Sequence, residues 1–231
     1  MATATLVGST GLVGSSILSQ LLAHSSFSAV YAYSRRDLPN PTASTKLYPI
    51  TSTDTAQWPS LFPHELKPKI FFSGLGTTKA AAGSMEAQRK IDFDLNLELA
   101  KKAKDSGVET YVLISGGGAN SQSNIAYTRM KGELEDAVKA LEFKHTVILR
   151  PGLIVGERTD SRPAEAVLRG IAKAFRSLTP ALTNFWAQDA SVIARAAVNA
   201  GVQCMEGKHE AGVWELGQGA IIELGRELTS Q

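Results

Sequence analysis

The sequence predicts an α/β fold built on a doubly wound parallel sheet, in one domain with a small C-terminal substrate-lid region. Three observations predict it. Apolar runs of strand length alternate with helical patterns along the chain. Most connections between successive strands are of helix length, which implies right-handed crossovers and a sheet covered on both faces. The first strand passes into a helix through "GSTGLVG", which places glycines at 8, 11 and 14.

Those glycines need a reason, because each costs roughly 1 kcal/mol in a helix interior relative to alanine. One reading is a tight turn with close helix–strand contact. The other is a phosphate cradle, in which backbone N–H groups at the positive end of the helix approach a pyrophosphate. A strand before and a helix after is the context the second reading requires, and it makes the fold Rossmann-like.

The remaining elements follow in order. "TATLVG" is the first strand and its helix runs to about Ala23; "AVYAYS" (29–34) is the second strand and "KLYPI" (46–50) a weaker third. "WPSLFPHEL" reads as a short helix broken by Pro59 and Pro63. "KIFFSG" (69–74) is the fourth strand. A long helix over 85–105 carries Ile91, Leu95 and Leu99 at four-residue spacing and is capped by Gly107. "TYVLIS" (110–115) is the fifth strand, 124–141 a helix and "HTVILRP" (145–151) the sixth strand. Helices are expected over 163–178 and, with Asp189 as N-cap, over 189–203. "VWELG" (213–217) closes the sheet before the helical tail "AIIELGREL". Pocket and lid elements fall mainly within 152–212.

Composition narrows the function. At 231 residues with 43% hydrophobic and 20% charged residues, the chain has material for one globular domain with a sizeable core. A net charge of +2 without a basic run gives no nucleic-acid footprint. Cys204 is the only cysteine, which excludes an intramolecular disulfide and suggests a reducing compartment. His24, His64, His145 and His209 show no metal-ligand spacing, so no metal is expected. No apolar run is long enough to span a bilayer, and the first strand leaves no room for a targeting segment.

The second strand ends in Ser34-Arg35-Arg36-Asp37, where an NAD-binding chain would place an acid for the ribose hydroxyls. The fork of Arg35 suits a 2′-phosphate instead, which favours NADP(H). Ser115 stands at the tip of the fifth strand, and Tyr127 and Lys131 follow one helical turn apart. Tyrosine ionises near pH 10, and a neighbouring ammonium is expected to lower that value. Lys131 can also bind the nicotinamide ribose. Ser115 can hold a substrate carbonyl or alcohol oxygen while Tyr127 gives or takes its proton.

Taken together, "GSTGLVG", "SRR", "GLGTT", "ISGGGA", "YTRMK", "RPGLIVGER" and "DSRPAE" resemble the atypical short-chain dehydrogenase/reductases. Within them the likeness is to the group of the human Tat-interactive tumour-suppressor protein and a fungal FMP-type mitochondrial outer-membrane protein. The resemblance implies Gly8, Ser9, Thr10, Gly11, Leu12 and Val13 around the pyrophosphate. It implies Arg35, with Arg36, at the 2′-phosphate, and Gly74, Leu75 and Gly76 beside the adenosine ribose. Pro151, Gly152, Leu153 and Ile154 would lie along the nicotinamide. It also implies the cytosol or the cytosolic face of the mitochondrial outer membrane, with peripheral association there. The glycines after Ser115 suggest a loosely ordered serine side of the site.

Beyond the sixth strand, Arg158 and Arg162 either meet an acidic or phosphorylated substrate group or form an internal network with Glu157, Asp160 and Glu165. Phe175, Leu178, Leu182, Phe185 and Trp186 line a pocket, fill the core or form a partner face. The expected activity is NADPH-dependent reduction of a carbonyl or activated double bond of a small molecule. Two alternatives stand beside it: an NADPH-binding regulatory protein, and a non-redox isomerase or lyase using the same Tyr and Lys.

Overall fold

The computed structural model describes residues 1–40, 42–155 and 187–226. Among them, seven strands form one parallel sheet. These are β1 (Ala2–Val7), β2 (Phe27–Ser34), β3 (Leu47–Thr51), β4 (Ile70–Ser73), β5 (Thr110–Ile114), β6 (His145–Leu149) and β9 (Gly212–Leu216). Their order is β3-β2-β1-β4-β5-β6-β9. A second small sheet pairs β7 (Leu153–Val155) with β8 (Ala187–Asp189) in parallel. The chain winds outward from β1 to β3, then crosses back to β4 beside β1. The topological switch point therefore lies between β1 and β4, where ligands bind in sheets of this kind.

Strand alternation divides the core between the two faces. Phe72 joins Leu6, Val30 and Val147 on one face, while its neighbour Phe71 joins Val7, Tyr33 and Tyr111 on the other. The first face is covered by α1 (Leu12–Ala23) and the alanine-rich α5 (Ala190–Met205). The second is covered by the 3₁₀ turn Thr55–Leu61, by α3 (Asn96–Asp105) and by α4 (Ala126–Lys139). Phe62, Phe71, Tyr111 and Phe143 stack in series there, with ring centroids 5.9, 5.3 and 5.0 Å apart. A terminal helix α6 (Gln218–Leu224) follows β9.

Gly107 ends α3 as expected: its φ is +80°, and the N–H groups of Gly107 and Val108 donate back to Lys104 and Ala103. Asp189 caps α5 by accepting from the Ser191 N–H. One helix differs from expectation. The 85–105 helix is α2 (Met85–Arg89), a π-helical turn (Lys90–Leu95) and α3. The wider turn presents a second buried row, Gln88, Asp92 and Asn96, beside the apolar one formed by Leu95 and Leu99, while Ile91 is only half-buried. The expected 163–178 helix lies outside the described residues. Among the described residues, no helix is long and apolar enough to cross a membrane.

Candidate functional site

The switch point is made by two glycine loops in contact. Gly8 leaves β1 with φ +82°, and a Cβ there would stand 2.4 Å from the Gly74 carbonyl carbon. A Cβ on Gly14 would stand 2.0 Å from the Gly8 oxygen. Only glycine allows α1 to start this close to both loops. Gly11 caps α1 without a side chain, and the first turn holds no acidic residue, so its positive end carries no internal counter-charge. Gly8, Thr10, Gly11 and Leu12 make the turn from β1 into α1, and Val13 is buried in the core beneath it. Ser9 is different: its buried hydroxyl donates to the Tyr33 carbonyl at 2.6 Å and ties the loop to the end of β2.

At that strand end Ser34 is also buried, and its hydroxyl donates to the carbonyl of Arg36. The serine shapes the turn that carries the arginines. Arg35 is exposed and unpaired among the described residues. Arg36 is exposed too.

The loop Gly74-Leu75-Gly76 is gripped by the polar row of the π-interrupted helix. Asn96 donates to the Leu75 carbonyl at 3.2 Å, Gln88 donates to the Thr77 carbonyl at 2.9 Å, and Asp92 accepts from the Thr77 N–H at 2.7 Å. Asp92 also lies 4.0 Å from the Lys131 ammonium, and both groups are buried. Sequence reasoning missed this row, and the four-residue spacing of Gln88, Asp92 and Asn96 was the only signal of it.

Tyr127 and Lys131 lie one turn apart on α4 as expected. The tyrosine is 43% exposed, and its hydroxyl stands 3.7 Å from where a Cβ on Gly116, the residue after Ser115, would be. The expected electrostatics are overturned. Burial, and secondarily the Asp92 carboxylate, hold the Tyr127 phenol above its ordinary value. Burial also pulls Lys131 down, while Asp92 and Glu135 oppose that shift. With Asp92 next to the ammonium, its charge is largely cancelled where the phenol would feel it. Asp92 itself is raised by burial, against the pull of Lys131 and its hydrogen bonds.

Ser115 is buried and donates to Glu135 Oε1 at 2.5 Å. Glu135 receives Arg150 on both oxygens, Nε at 3.1 Å from each and Nη2 at 2.5 Å from Oε2. Arg150 then reaches Glu215 at 2.8 Å, which Lys139 also holds at 2.6 Å. Since a carboxylate cannot donate, the Ser115 hydroxyl proton is engaged by Glu135. Glu135 and Arg150 were not singled out in the sequence, where they read as one helix charge and one strand-end charge.

The segment after Ser115 is held, contrary to the expectation of looseness. The Ser115 N–H donates to the Leu149 carbonyl at 2.8 Å, and the Gly117 N–H to that of Pro151 at 2.7 Å. Gly152 donates to Gln188 Oε1 at 3.1 Å, and Gln188 donates on to the Gln218 carbonyl. Pro151 to Ile154 therefore run along the edge beside Gly117 and into β7. Leu153 and Ile125 are 45% and 66% exposed, so apolar surface accompanies Tyr127 at this edge. Arg158, Arg162, Phe175, Leu178, Leu182, Phe185 and Trp186 lie outside the described residues.

Comparison with solved structures places the fold. The UDP-N-acetylglucosamine 4-epimerase of Methanobrevibacter ruminantium matches with a TM-score of 0.67 at 16% identity, over 93% of this chain and 76% of that one. MoeE5, solved with UDP-glucose and NAD, matches at 0.66 and 17%, over 98% and 82%. At such identities the likeness is one of fold. Sequence relatives are much nearer. The Emericella nidulans protein named "fmp52, mitochondrial" is 51% identical, over 98% of this chain and all of its own length. The Neurospora crassa protein named "fmp-52, mitochondrial" is 44% identical, over 96% of this chain and 94% of its own. The family described as HIM1 matches residues 67–182, from just before β4 across α4 and β6. The chain therefore belongs to the HIM1 family, among full-length fungal relatives of the Fmp52 type.

Proposed function

We propose that the chain is an NADPH-dependent reductase of the short-chain dehydrogenase/reductase type, acting on a carbonyl or activated double bond of a small molecule. The observation that carries the reading is the Tyr127 hydroxyl against Gly116, the residue after Ser115, at the sheet edge that also holds the glycine loops. The residues there fit a dinucleotide. A Cβ at position 8 or 14 would strike backbone, the positive end of α1 has no side-chain cap, and Arg35 offers a guanidinium without a partner among the described residues, one strand away. Gly8 to Val13 would hold the pyrophosphate, Arg35 and Arg36 the 2′-phosphate, and Gly74 to Gly76 the adenosine ribose. Pro151 to Ile154 would flank the nicotinamide, and Lys131 would donate to its ribose hydroxyls. When bound, NADPH supplies the hydride.

The chain's own residues supply the proton and the positioning. A phenol held above its ordinary value stays neutral at physiological pH, so Tyr127 acts as acid toward the substrate oxygen. Ser115 accepts from the alcohol formed, because its own proton is directed to Glu135. Lys131, neutralised by Asp92, serves as a buried hydrogen-bond donor rather than as the group that ionises the phenol. The open side of Tyr127 lets solvent return its proton.

Ile125, Tyr127 and Leu153 favour a substrate with an apolar body, and Arg158 and Arg162 remain candidates for an acidic group on it. The names of the fungal relatives support a mitochondrial association, which we place as peripheral attachment to the cytosolic face of the outer membrane. The likeness to the human Tat-interactive protein rests on the sequence motifs alone.

The test is NADPH oxidation against a panel of aldehydes, ketones and enones. Tyr127→Phe should bind NADPH normally and lose roughly 10²–10⁴-fold in turnover, the usual contribution of a positioned acid. Undiminished turnover in Tyr127→Phe, or product formation without a change in nicotinamide absorbance, would refute the reading.

A further inference from the structure

The histidines that are scattered in sequence do not stay apart in space. His145 is the first residue of β6, Cys204 lies in the last turn of α5, and His209 sits in the loop before β9. A ring nitrogen of each histidine and the Cys204 sulfur all lie within 4.8 Å of one another. His145 and Cys204 are buried and His209 is half-buried. The cluster is at the amino-terminal edge of the sheet, where His145 pairs with Gly212, opposite the glycine loops. Spacing in sequence could not reveal it, because β6 and the α5–β9 turn are joined only by the topology.

Three features around the cluster point to a cation. Nδ1 of His145 lies 3.2 Å, and Nδ1 of His209 3.0 Å, from the same acceptor, the Glu210 carbonyl. A backbone carbonyl holding one ring nitrogen is the usual support of a metal-binding imidazole, since it leaves the lone pair on Nε2. The His209 ring is further fixed on Trp214, with centroids 3.8 Å apart and planes 14° off parallel. Nearby carboxylates are already paired: Glu206 with Lys208 at 2.7 Å, and Glu109 with Lys69 at 2.8 Å and Lys144 at 3.4 Å. The donors left are two imidazoles and a sulfur, a set suited to zinc and unsuited to magnesium or calcium. Finally, His145 and Cys204 border a cavity of about 450 Å³, together with Met1, Lys69, Glu109 and Glu206.

We propose that His145, Cys204 and His209 form a zinc(II) site whose fourth position opens into this cavity. Zinc–sulfur and zinc–nitrogen bonds of about 2.3 and 2.0–2.1 Å bring such donors to within about 3.6 Å of one another, so the cluster closes by about 1 Å on binding. Binding replaces the Cys204 thiol proton with the metal and releases that proton to solvent. The site lies away from the dinucleotide edge and stands or falls independently of the reductase reading.

Cobalt(II) titration of the untagged, reduced full-length chain is the test, because cobalt reports its ligands by colour. One cobalt per chain is expected, with a thiolate-to-cobalt charge-transfer band and strong tetrahedral absorption in the red, both erased by added zinc. Cys204→Ala should lose the charge-transfer band, and His209→Gln should weaken cobalt binding at least tenfold, with circular dichroism unchanged. Absence of saturable absorption in the wild type, or a charge-transfer band that survives Cys204→Ala, overturns the proposal. If Cys204→Ala does not fold, unchanged cobalt affinity in His209→Gln overturns it equally.

Discussion

Glu135→Gln isolates the polar network behind Ser115. The substitution keeps the shape of the side chain and one acceptor oxygen, but removes the charge that both Ser115 and Arg150 address. The Glu135 side chain is 2% exposed and the Arg150 side chain 30%. Breaking a buried ion pair from one side costs about 3–5 kcal/mol, because the other charge is left uncompensated. Arg150 keeps Glu215 at 2.8 Å and has access to water, so the loss belongs at the low end, about 3 kcal/mol. For a chain of this size each kcal/mol moves Tm by about 2–4 °C, giving a fall of roughly 6–12 °C. Thermal unfolding followed by circular dichroism measures it, and Arg150→Gln completes a double-mutant cycle. The two losses should be far from additive, since they break the same pair. A Tm within about 2 °C of wild type, or fully additive losses, would refute the assignment of Glu135 as the anchor of the serine side.

Other perturbations test the remaining parts of the site. Asp92→Asn removes a negative charge that raises the Tyr127 phenol and uncovers the Lys131 ammonium; both changes favour phenolate. The alkaline limb of kcat/KM for reduction should therefore move to lower pH in Asp92→Asn, and a limb that stays in place or moves up would contradict the electrostatics. Gly14→Ala puts a Cβ 2.0 Å from the Gly8 oxygen, where only backbone movement relieves the clash. Dinucleotide affinity should fall at least tenfold by calorimetry, and unaltered affinity would show that the cradle does not need this approach.

Much of the fold was legible because its signals are local. The strands of the main sheet announce themselves as short apolar runs between helical patterns, and Phe71-Phe72 shows why both faces had to be covered. Gly107 and Asp189 likewise mark helix ends by chemistry that acts within a few residues. The site was legible where residues are joined by helix geometry, as Tyr127 and Lys131 are. It was not legible where tertiary contact decides the role. Asp92 comes to Lys131 through a π-helical turn that no periodicity announces, and it adds to burial in holding the Tyr127 phenol up rather than down. Glu135 engages the Ser115 hydroxyl proton through a contact 20 residues away in sequence. His145, Cys204 and His209 meet only because β6 and β9 are neighbours.

The central claim is that the glycine edge holds NADPH, and calorimetric titration of NADPH against NADH tests it most directly. Arg35 is exposed, and without a partner among the described residues, just after the end of β2, where the 2′-phosphate would lie. The wild type should bind NADPH more tightly than NADH. Arg35→Ala should lose most of that preference, about 1.5–3 kcal/mol for a hydrogen bond to a charged group, while its NADH affinity stays near that of the wild type. Equal affinity for the two dinucleotides, or binding of neither, would contradict the account.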